Sequence, residues 1–288
     1  MTKLLDGLAL ANIYKEKIKD TIKTLDLKPR LDVVLVGDDE ASKIYIKKKC
    51  ESCNEVGIKS ESHIFSEKEF LYAKEHVNWL NYIHEVSGIL VQLPLPKSCN
   101  PDEIFDMINP LKDVDVFSPT NVGLLVQNRP RFLPPTPLAV QKLILDNGLT
   151  MQGKHVVVIN RSNVVGKPLS SMLIQDNVMA NATVTVCHDN TPPDILKQIC
   201  LSADIIVVAV GIPYFLTVDM IREHQIIIDV GITRVGKKVL GDVHPEVNGK
   251  VAALSPVPGG IGPLTVCMLL RNTLKAYLLQ NNLDCSDI

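Results

Sequence analysis

Three side chains that could cooperate in proton transfer have the spacing of one helix face. Ser42, Tyr45 and Lys49 lie within residues 39–56, a stretch whose pattern predicts a helix with an acidic first turn. A lysine whose pKa is lowered by desolvation can exchange protons near neutral pH. The same residues also fit a solvated charged face, because two further lysines directly precede Lys49. On spacing alone, this second interpretation is favoured.

A second candidate site is a turn that joins a predicted strand to a helix. The strand covers residues 155–160, and Pro168 suits the first helical position, where its missing N–H costs nothing. Free N–H groups and the positive dipole end of such a helix can receive a pyrophosphate. The fingerprint G-x-G-x-x-G is absent, so an ordinary turn without a ligand stays open.

Asp189 follows the next predicted strand, residues 182–188. In Rossmann folds an acidic residue at the end of the second strand holds the ribose hydroxyls of NAD. The position of Asp189 therefore fits a dinucleotide site, and a solvated loop aspartate is an equally good alternative.

Strands and helices must alternate to position these residues. Predicted strands lie at 31–37, 58–65, 87–93, 155–160, 182–188, 204–211 and 225–231. Predicted helices lie at 6–25, 39–56, 67–83, 101–108, 168–175, 192–200, 217–224 and 264–279. This order predicts an α/β protein with parallel sheets and crossover helices. The length of 288 residues and a proline-rich stretch at 129–137 predict two domains.

Composition argues against several other classes of protein. The formal net charge of -2 leaves no positive excess for a phosphate backbone, which gives nucleic-acid binding little support. The apolar runs are much shorter than the ~20 residues of a membrane helix, and the N-terminus has no signal-peptide pattern. We therefore expect a cytoplasmic protein that binds neither nucleic acid nor membrane.

The seven cysteines are scattered, which argues against a disulfide framework. Cys50 and Cys53 form a C-x-x-C inside a predicted helix, with no second pair downstream. A zinc site needs four ligands, and a redox site needs the motif at a helix start. We expect no metal.

Five motifs, in order, resemble those of the bifunctional methylenetetrahydrofolate dehydrogenase/cyclohydrolase family across nearly the whole chain. They are Ser42-x-x-Tyr45-x-x-x-Lys49, Val91-Gln-Leu-Pro-Leu-Pro96, Lys112-Asp-Val-Asp115, Asn160-Arg-Ser-x-x-Val-Gly-x-Pro168 and Pro256-Val-Pro-Gly-Gly-Ile-Gly-Pro-Leu-Thr265. Any one could arise by chance, whereas five in the right order are specific.

This resemblance implies two successive reactions. A hydride would pass from 5,10-methylenetetrahydrofolate to a nicotinamide cofactor, which carries the difficult chemistry of that step. Water would then open the methenyl product to 10-formyltetrahydrofolate. NADP is the cofactor that the resemblance implies. Its lead over NAD is narrow, because Asp189 would repel the 2′-phosphate that only NADP carries. The resemblance also implies a homodimer.

The resemblance assigns roles to single residues. Lys49 would exchange protons, Gln92 would hydrogen-bond Lys49, and Tyr45 would offer its ring to the folate. Asp115 would accept hydrogen bonds from the pterin, with a loop-capping aspartate as the alternative. Further implied folate contacts are Val91, Leu93, Pro258, Gly259, Gly260, Ile261 and Gly262, and implied cofactor contacts are Asn160, Arg161, Ser162, Val165, Gly166, Asp189 and Ile232.

The implied architecture is two α/β domains around a cleft. We expect a folate-binding catalytic domain at 1–136 that includes the C-terminal helix, 265–288. Residues 137–264 would form a Rossmann-like nucleotide-binding domain with a parallel sheet.

The sequence departs from the family pattern at three places. Asn160 replaces a glycine, and asparagine tolerates positive φ better than most residues. Val116 replaces the glycine after Asp115, and a β-branched residue does not easily take positive φ. If family members use that conformation, the loop that presents Asp115 is rebuilt here. Residues 176–181 also form a longer link than usual.

Two other hypotheses stay open. Another two-domain dehydrogenase, of the shikimate or amino-acid type, would explain the α/β order but not the motifs at 91–96 and 256–265. A nucleotide-sensing module without catalysis would have no reason to keep Tyr45, Lys49, Gln92 and Asp115 together.

Overall fold

A computed structural model describes residues 1–236 and 238–285. The chain divides into two compact units. Unit 1 comprises Met1–Asn12 and Pro134–Thr265, and unit 2 comprises Ile13–Leu133 and Val266–Ile288. The expected boundaries differ from this division at the N-terminus, because they grouped the first twelve residues with what is now unit 2.

The described residues contain the following regular elements. The helices are α1 (Gly7–Thr24), α2 (Glu40–Val56), α3 (Phe70–Tyr82), α4 (Pro101–Phe105), α5 (Pro119–Val126), α6 (Pro135–Leu145), α7 (Gly166–Leu173), α8 (Pro193–Ser202) and α9 (Ile261–Gln280). The strands are β1 (Lys3–Leu4), β2 (Arg30–Val36), β3 (Lys59–Phe65), β4 (Gly88–Val91), β5 (His155–Ile159), β6 (Thr183–Cys187), β7 (Ile205–Val208), β8 (Ile226–Asp229), β9 (Thr233–Val235), β10 (Lys238–Leu240) and β11 (Ala253–Leu254).

Unit 2 is built on a three-stranded parallel sheet in the order β3-β2-β4. The central strand β2 is buried from Leu31 to Val36, as its nearly continuous apolar sequence predicts. Val34 pairs with Val91 at the end of β4, and the N–H of Gln92 then donates to the Val34 carbonyl at 2.8 Å. This bond places Gln92 at the carboxyl edge of the sheet.

Unit 1 is built on a six-stranded parallel sheet in the order β1-β11-β8-β7-β5-β6. Its central strands are apolar and buried, which confirms the predicted Rossmann-like parallel sheet. The strand order changes direction beside β5, so the loops after β5, β6 and β7 meet at one edge. Ligands of open α/β sheets bind at such a point.

Pairing of β1 with β11 explains why the first residues belong to unit 1. Backbone bonds join Lys3 N to the Ala252 carbonyl and Leu5 N to the Leu254 carbonyl, both at 2.9 Å. A two-residue strand leaves too weak a periodic pattern to be recognised in the sequence.

The helix predictions succeed where caps are local. α2 begins after Asp39, whose side chain accepts from Ser42 N, and ends at Gly57 with φ +88°. The predicted helix at 217–224 is wrong, since only a 3₁₀ turn forms at Val218–Met220. There the Thr217 hydroxyl donates to Asp219 and the Gln225 side chain accepts from Arg222 N, and such local bonds compete with a helix.

Two helices, α5 and α6, were not predicted. Each begins with a proline in its first turn, a position where proline favours a helix start. None of the helices in the described residues combines the length and hydropathy needed to cross a lipid bilayer.

Candidate functional site

Lys49 is half-buried on α2 in unit 2 and donates to Oε1 of Gln92 at 3.0 Å. The Gln92 side-chain nitrogen donates to the Leu93 carbonyl at 2.5 Å, which turns the amide oxygen toward the lysine. The hydrogen bond expected from the sequence is therefore present. It joins a helix to the carboxyl edge of the sheet.

The surroundings of Lys49 favour its neutral form. Burial lowers the pKa of this lysine, while the negative charge of Asp115 opposes the shift. An amine with a lowered pKa can accept a proton as well as donate one. The arrangement suits general acid–base chemistry.

Asp115 is half-buried in unit 2, and burial raises its pKa to about 6. Lys49 opposes this shift in pKa, and the neighbouring Asp113 adds to it. Within the described residues the Asp115 carboxylate accepts no hydrogen bond, so both of its oxygens can accept from a ligand. The alternative of a loop-capping aspartate fits Asp113 better than Asp115.

Asp113 is fully buried and organises the turn that presents Asp115. Its carboxylate accepts from Phe117 N at 3.0 Å, from Ser118 N at 2.9 Å and from the Asn121 side chain at 2.9 Å. The Asp113 carboxylate is therefore used in hydrogen bonds within the fold, whereas the Asp115 carboxylate can accept hydrogen bonds from a ligand.

Val116 takes the left-handed conformation at φ +67° with its side chain 2% exposed. A β-branched residue there costs about 1–3 kcal/mol of backbone strain. The burial of its side chain and the hydrogen bonds to Asp113 hold it in place. Val116 thus takes a conformation that a glycine would favour, although it is β-branched.

Other residues near Lys49 divide between structural and accessible positions. Tyr45 is half-buried one turn before Lys49. The Ser42 hydroxyl donates to Asp39 at 2.7 Å and belongs to the helix cap. The Val91 side chain lies in the core of unit 2, and Leu93 packs against that core.

The glycine-rich loop at 258–262 belongs to unit 1. Gly259 has φ +105°, and Leu8 N donates to its carbonyl at 2.8 Å. A Cβ on Gly7 would overlap the backbone of Gly260, and Ile261 is buried. These contacts give the loop a structural role at the start of α9, which is the alternative to a binding role, and its expected folate contacts stay predictions.

A cavity of about 870 Å³ opens in unit 1 at the carboxyl edge of the sheet. Pockets for drug-sized ligands have volumes of about 300–1,000 Å³. Its lining comes from the ends of β5, β6 and β7 and from α8, and includes Asn160, Arg161, Ser162, His188, Asp189, Lys197, Val210, Ile212 and Phe215. Among the described residues Val165, Gly166 and Ile232 do not line it.

Asn160 replaces a glycine without positive φ. Its side-chain oxygen accepts from Ser162 N at 2.8 Å and from Gly166 N at 2.9 Å, and its nitrogen donates to the Ala209 carbonyl. The turn therefore depends on side-chain hydrogen bonds rather than on backbone freedom.

This bonding changes what α7 can offer to a phosphate. Gly166 N is taken by Asn160, Lys167 N donates to the Ser162 carbonyl, and Leu169 N donates to the Val165 carbonyl. Because Pro168 has no N–H, the expectation of free backbone donors in this first turn is wrong. The dipole and the side chains of the turn remain.

Arg161 and Asp189 form an ion pair at the cavity, with side chains 47% and 74% exposed. A second cation of the lining, Lys197, pairs with Asp219 at 2.7 Å. An added phosphate must therefore compete with a carboxylate for either cation.

Val210, Ile212 and Lys197 line the cavity and were not predicted from the sequence. The predicted strand at 204–211 included the first of these, whereas β7 ends at Val208. The rule that ligands bind beyond the carboxyl ends of parallel strands was the signal that could have identified them.

Among the described residues, Asp32, Glu61 and His63 have ligand atoms close enough to hold a metal ion. Arg30 already donates to both carboxylates at 2.7 Å. A cation would have to displace this guanidinium, so the group is better explained as a charge network of the fold.

Replacing Asp115 tests the environment of its carboxyl group. Because its pKa is raised in the folded state, ionisation destabilises the fold as pH rises from about 4 to 6. Asp115→Asn should therefore increase the free energy of unfolding at pH 8 by about 1–2 kcal/mol, with partial exposure reducing the full effect. Urea denaturation at pH 4 and pH 8 measures this difference, which should be near zero at pH 4.

Asp20→Asn, on the exposed side of α1, is the matched control for losing a surface carboxylate. It should show no comparable gain at pH 8. Equal stability of wild type and Asp115→Asn at both pH values would contradict the raised pKa.

Two family models match the chain, one for each half. The model described as the catalytic domain of tetrahydrofolate dehydrogenase/cyclohydrolase matches residues 5–115. The model for the NAD(P)-binding domain of these enzymes matches residues 134–281. Lys49, Gln92 and Asp115 lie in the first match, and the cavity lies in the second.

Individual relatives resemble the chain over almost its full length. The bifunctional protein FolD of Sulfurihydrogenibium sp. is 48% identical over 284 residues, covering 95% of this chain and 97% of the relative. The crystal structure of FolD from Campylobacter jejuni is 42% identical with a TM-score of 0.90, covering 98% and 100%. The Trypanosoma brucei enzyme, solved with NADP and an inhibitor, is 31% identical with a TM-score of 0.90, covering 96% and 97%.

Proposed function

The chain belongs to the tetrahydrofolate dehydrogenase/cyclohydrolase family, and we propose which of its residues perform the two reactions of that family. It oxidises 5,10-methylenetetrahydrofolate to the 5,10-methenyl form with a nicotinamide cofactor, and it hydrolyses that product to 10-formyltetrahydrofolate. The observation that carries the residue assignment is the hydrogen bond between a desolvated Lys49 and Gln92. Unit 2 would be the folate-binding catalytic domain and unit 1 the cofactor domain.

Hydride transfer depends on alignment of the reacting carbon with the nicotinamide, which supplies the hydride acceptor. Asp115 would hold the folate, because its two free oxygens suit the paired N–H donors of a pterin. Tyr45 would place its ring against the folate's aromatic portion. The implied contacts of Val91, Leu93 and the 258–262 loop belong to the same proposal.

Hydrolysis needs a group that moves protons. Water adds to the methenyl carbon and loses a proton to the neutral Lys49 amine. The carbon–nitrogen bond then breaks, and the protonated lysine returns its proton to the leaving ring nitrogen. The hydroxyl of the adduct loses its own proton to solvent as its oxygen becomes the formyl carbonyl. Gln92 keeps the amine in place throughout, because its oxygen accepts from Lys49 while its nitrogen stays on the Leu93 carbonyl.

We propose that the cavity in unit 1 binds the dinucleotide, with NADP narrowly preferred over NAD. Arg161 and Ser162 can bind a 2′-phosphate, and a guanidinium suits that dianion. The opposing ion pair with Asp189 is exposed, and exposed pairs contribute only about 0–1 kcal/mol. The implied contacts of Asn160, Val165, Gly166 and Ile232 are part of this proposal.

Replacing Asp189 tests the cofactor assignment. Asp189→Ser removes the negative charge beside the phosphate and frees Arg161, so kcat/KM for NADP relative to NAD should rise at least about tenfold. Arg161→Ala should lower the same ratio. Steady-state kinetics with both cofactors at saturating folate measures it.

Wild type should prefer NADP by a small factor. A large preference of wild type for NAD would overturn the choice of NADP. An unchanged ratio in both variants would show that the 2′-position of the cofactor lies elsewhere.

Replacing Lys49 tests the division of labour between the two reactions. Lys49→Met keeps most of the apolar stem but removes the titratable amine, so cyclohydrolase activity should fall about a hundredfold or more. Dehydrogenase activity should fall much less, because alignment does not require this amine. Methenyltetrahydrofolate would then accumulate, which its absorbance reports.

Lys47→Met and Lys48→Met are matched controls, because both lysines are exposed on the same helix. Folate affinity is measured on every variant, since loss of the lysine leaves the Gln92 oxygen unpaired. Equal loss of both activities with normal folate binding would refute the assignment, and so would full retention of hydrolysis.

Cellular location and assembly are further parts of the proposal. All seven cysteines are free thiols, which is typical of a reducing compartment such as the cytoplasm. A homodimer follows from the family resemblance alone. Light scattering of the purified chain distinguishes the dimer from a monomer.

A further inference from the structure

Two buried carboxylates lie at the carboxyl edge of the unit 1 sheet and have no part in the reactions described above. Asp229 ends β8 with 3% of its surface exposed, and Asp242, two residues after β10, is fully buried. Burial raises the pKa of both carboxyl groups. The pKa of Asp229 rises to about 6, and the negative charge of Asp242 adds to this rise. Buried carboxylates are costly, so their position calls for an explanation.

Asp242 bridges two turns. Its Oδ2 accepts from Val210 N at 2.6 Å and from Gly211 N at 2.9 Å, in the turn after β7. Its other oxygen is buried without a hydrogen-bond partner among the described residues. This oxygen lies against Gly231 in the turn after β8, where a Cβ would overlap the carboxylate.

Asp229 holds Asp242 in place. Its Oδ1 accepts from Gly231 N and from Asp242 N, and its Oδ2 accepts from Val243 N, each at 3.0 Å. A Cβ on Gly241 would overlap the Asp229 carboxylate. The Asp242 carboxylate therefore occupies the space beside Gly231, and the Asp229 carboxylate occupies the space beside Gly241.

The turn after β7 lines the candidate cofactor cavity, and the turn after β8 leads to a proposed cofactor contact outside that lining. The turn after β7 supplies Val210 and Ile212 to the lining, with Gly211 between them at φ +69°. The turn after β8 leads from Gly231 into Ile232, for which a cofactor contact is proposed. Fixing two N–H groups of the first turn fixes the direction in which its lining side chains project.

We propose that Asp242, supported by Asp229, is a positioning residue that sets the shape of the nicotinamide dinucleotide cavity by tying the turn after β7 to the turn after β8. This inference rests on the proposed assignment of that cavity to the cofactor. Asp242 acts through the turns and does not touch the reacting atoms.

Gln225 offers a control for a purely structural role. It is fully buried in the same unit, donates to the carbonyls of Cys200 and Ala203 and accepts from Arg222 N. It precedes β8, at the edge of the sheet opposite the cavity. Its loss should weaken the fold without changing the cavity.

The experiment compares Asp242→Ala, Asp242→Asn and Gln225→Ala with wild type. Calorimetry measures Kd for NADP and NAD, kinetics separates KM from kcat in the dehydrogenase reaction, and hydrolysis of methenyltetrahydrofolate is assayed without cofactor. Asp242→Ala should raise cofactor Kd and KM about tenfold or more, because small misplacements of binding groups have large effects. Hydrolysis should stay within about twofold.

Asp242→Asn keeps one acceptor oxygen but loses the charge that strengthens its bonds, so cofactor Kd should rise about threefold. Gln225→Ala should lower the melting temperature with cofactor Kd unchanged. If Asp242→Ala does not fold, Asp242→Asn decides the question.

Three results would overturn the inference. They are an unchanged cofactor Kd in both Asp242 variants, a loss of hydrolysis in Asp242→Ala as large as its loss of cofactor binding, and the same rise of cofactor Kd in Gln225→Ala. Failure of wild type to bind either dinucleotide would be a different outcome. It would refute the proposed function of the cavity itself.

Discussion

Desolvation of Lys49 is the constraint on which the catalytic proposal depends. The Lys49 amine on α2 donates to Gln92, which directly follows β4. The bond therefore depends on the pairing of β4 with β2, which fixes the position of Gln92. Burial favours the neutral amine, whereas Asp115 favours the charged form. In the proposed mechanism, the balance between these effects would allow one lysine to accept a proton from water and return it to the folate. Any change that admits water or shifts β4 would alter both the position of Lys49 and its pKa.

The turn that presents Asp115 shows that the site is maintained at the expense of stability. A carboxylate with a pKa of about 6 and a valine with φ +67° both oppose folding. Asp113 offsets this by accepting hydrogen bonds from two backbone N–H groups of the same turn and from the Asn121 side chain on α5. The result is a carboxylate that is rigidly placed and still has both oxygens free for a ligand, which is the state a binding group requires.

In unit 1 the cavity is shaped by side chains acting on backbone. Asn160 closes the turn after β5 by hydrogen bonds where the family pattern has glycine, and Asp242 accepts two hydrogen bonds from the turn after β7. These bonds use N–H groups that could otherwise bind phosphate. Charge at the cavity therefore comes mainly from Arg161 and Lys197, each already paired with an aspartate. If the cavity binds the dinucleotide as proposed, cofactor preference would depend on competition between these carboxylates and the 2′-phosphate.

Local sequence determined strands β2 to β8, the start and end of α2, and five motifs that identified the family, because apolar periodicity and capping act over a few residues. The Lys49–Gln92 bond was also anticipated, from the resemblance. Only the tertiary structure decided that residues 1–12 join unit 1, that 217–224 is not a helix, and that Asp242 meets Gly231. It alone set the pKa of Lys49 and of Asp115. Burial and pairing with distant residues decide these properties, and no local pattern in the chain records which distant segments will meet.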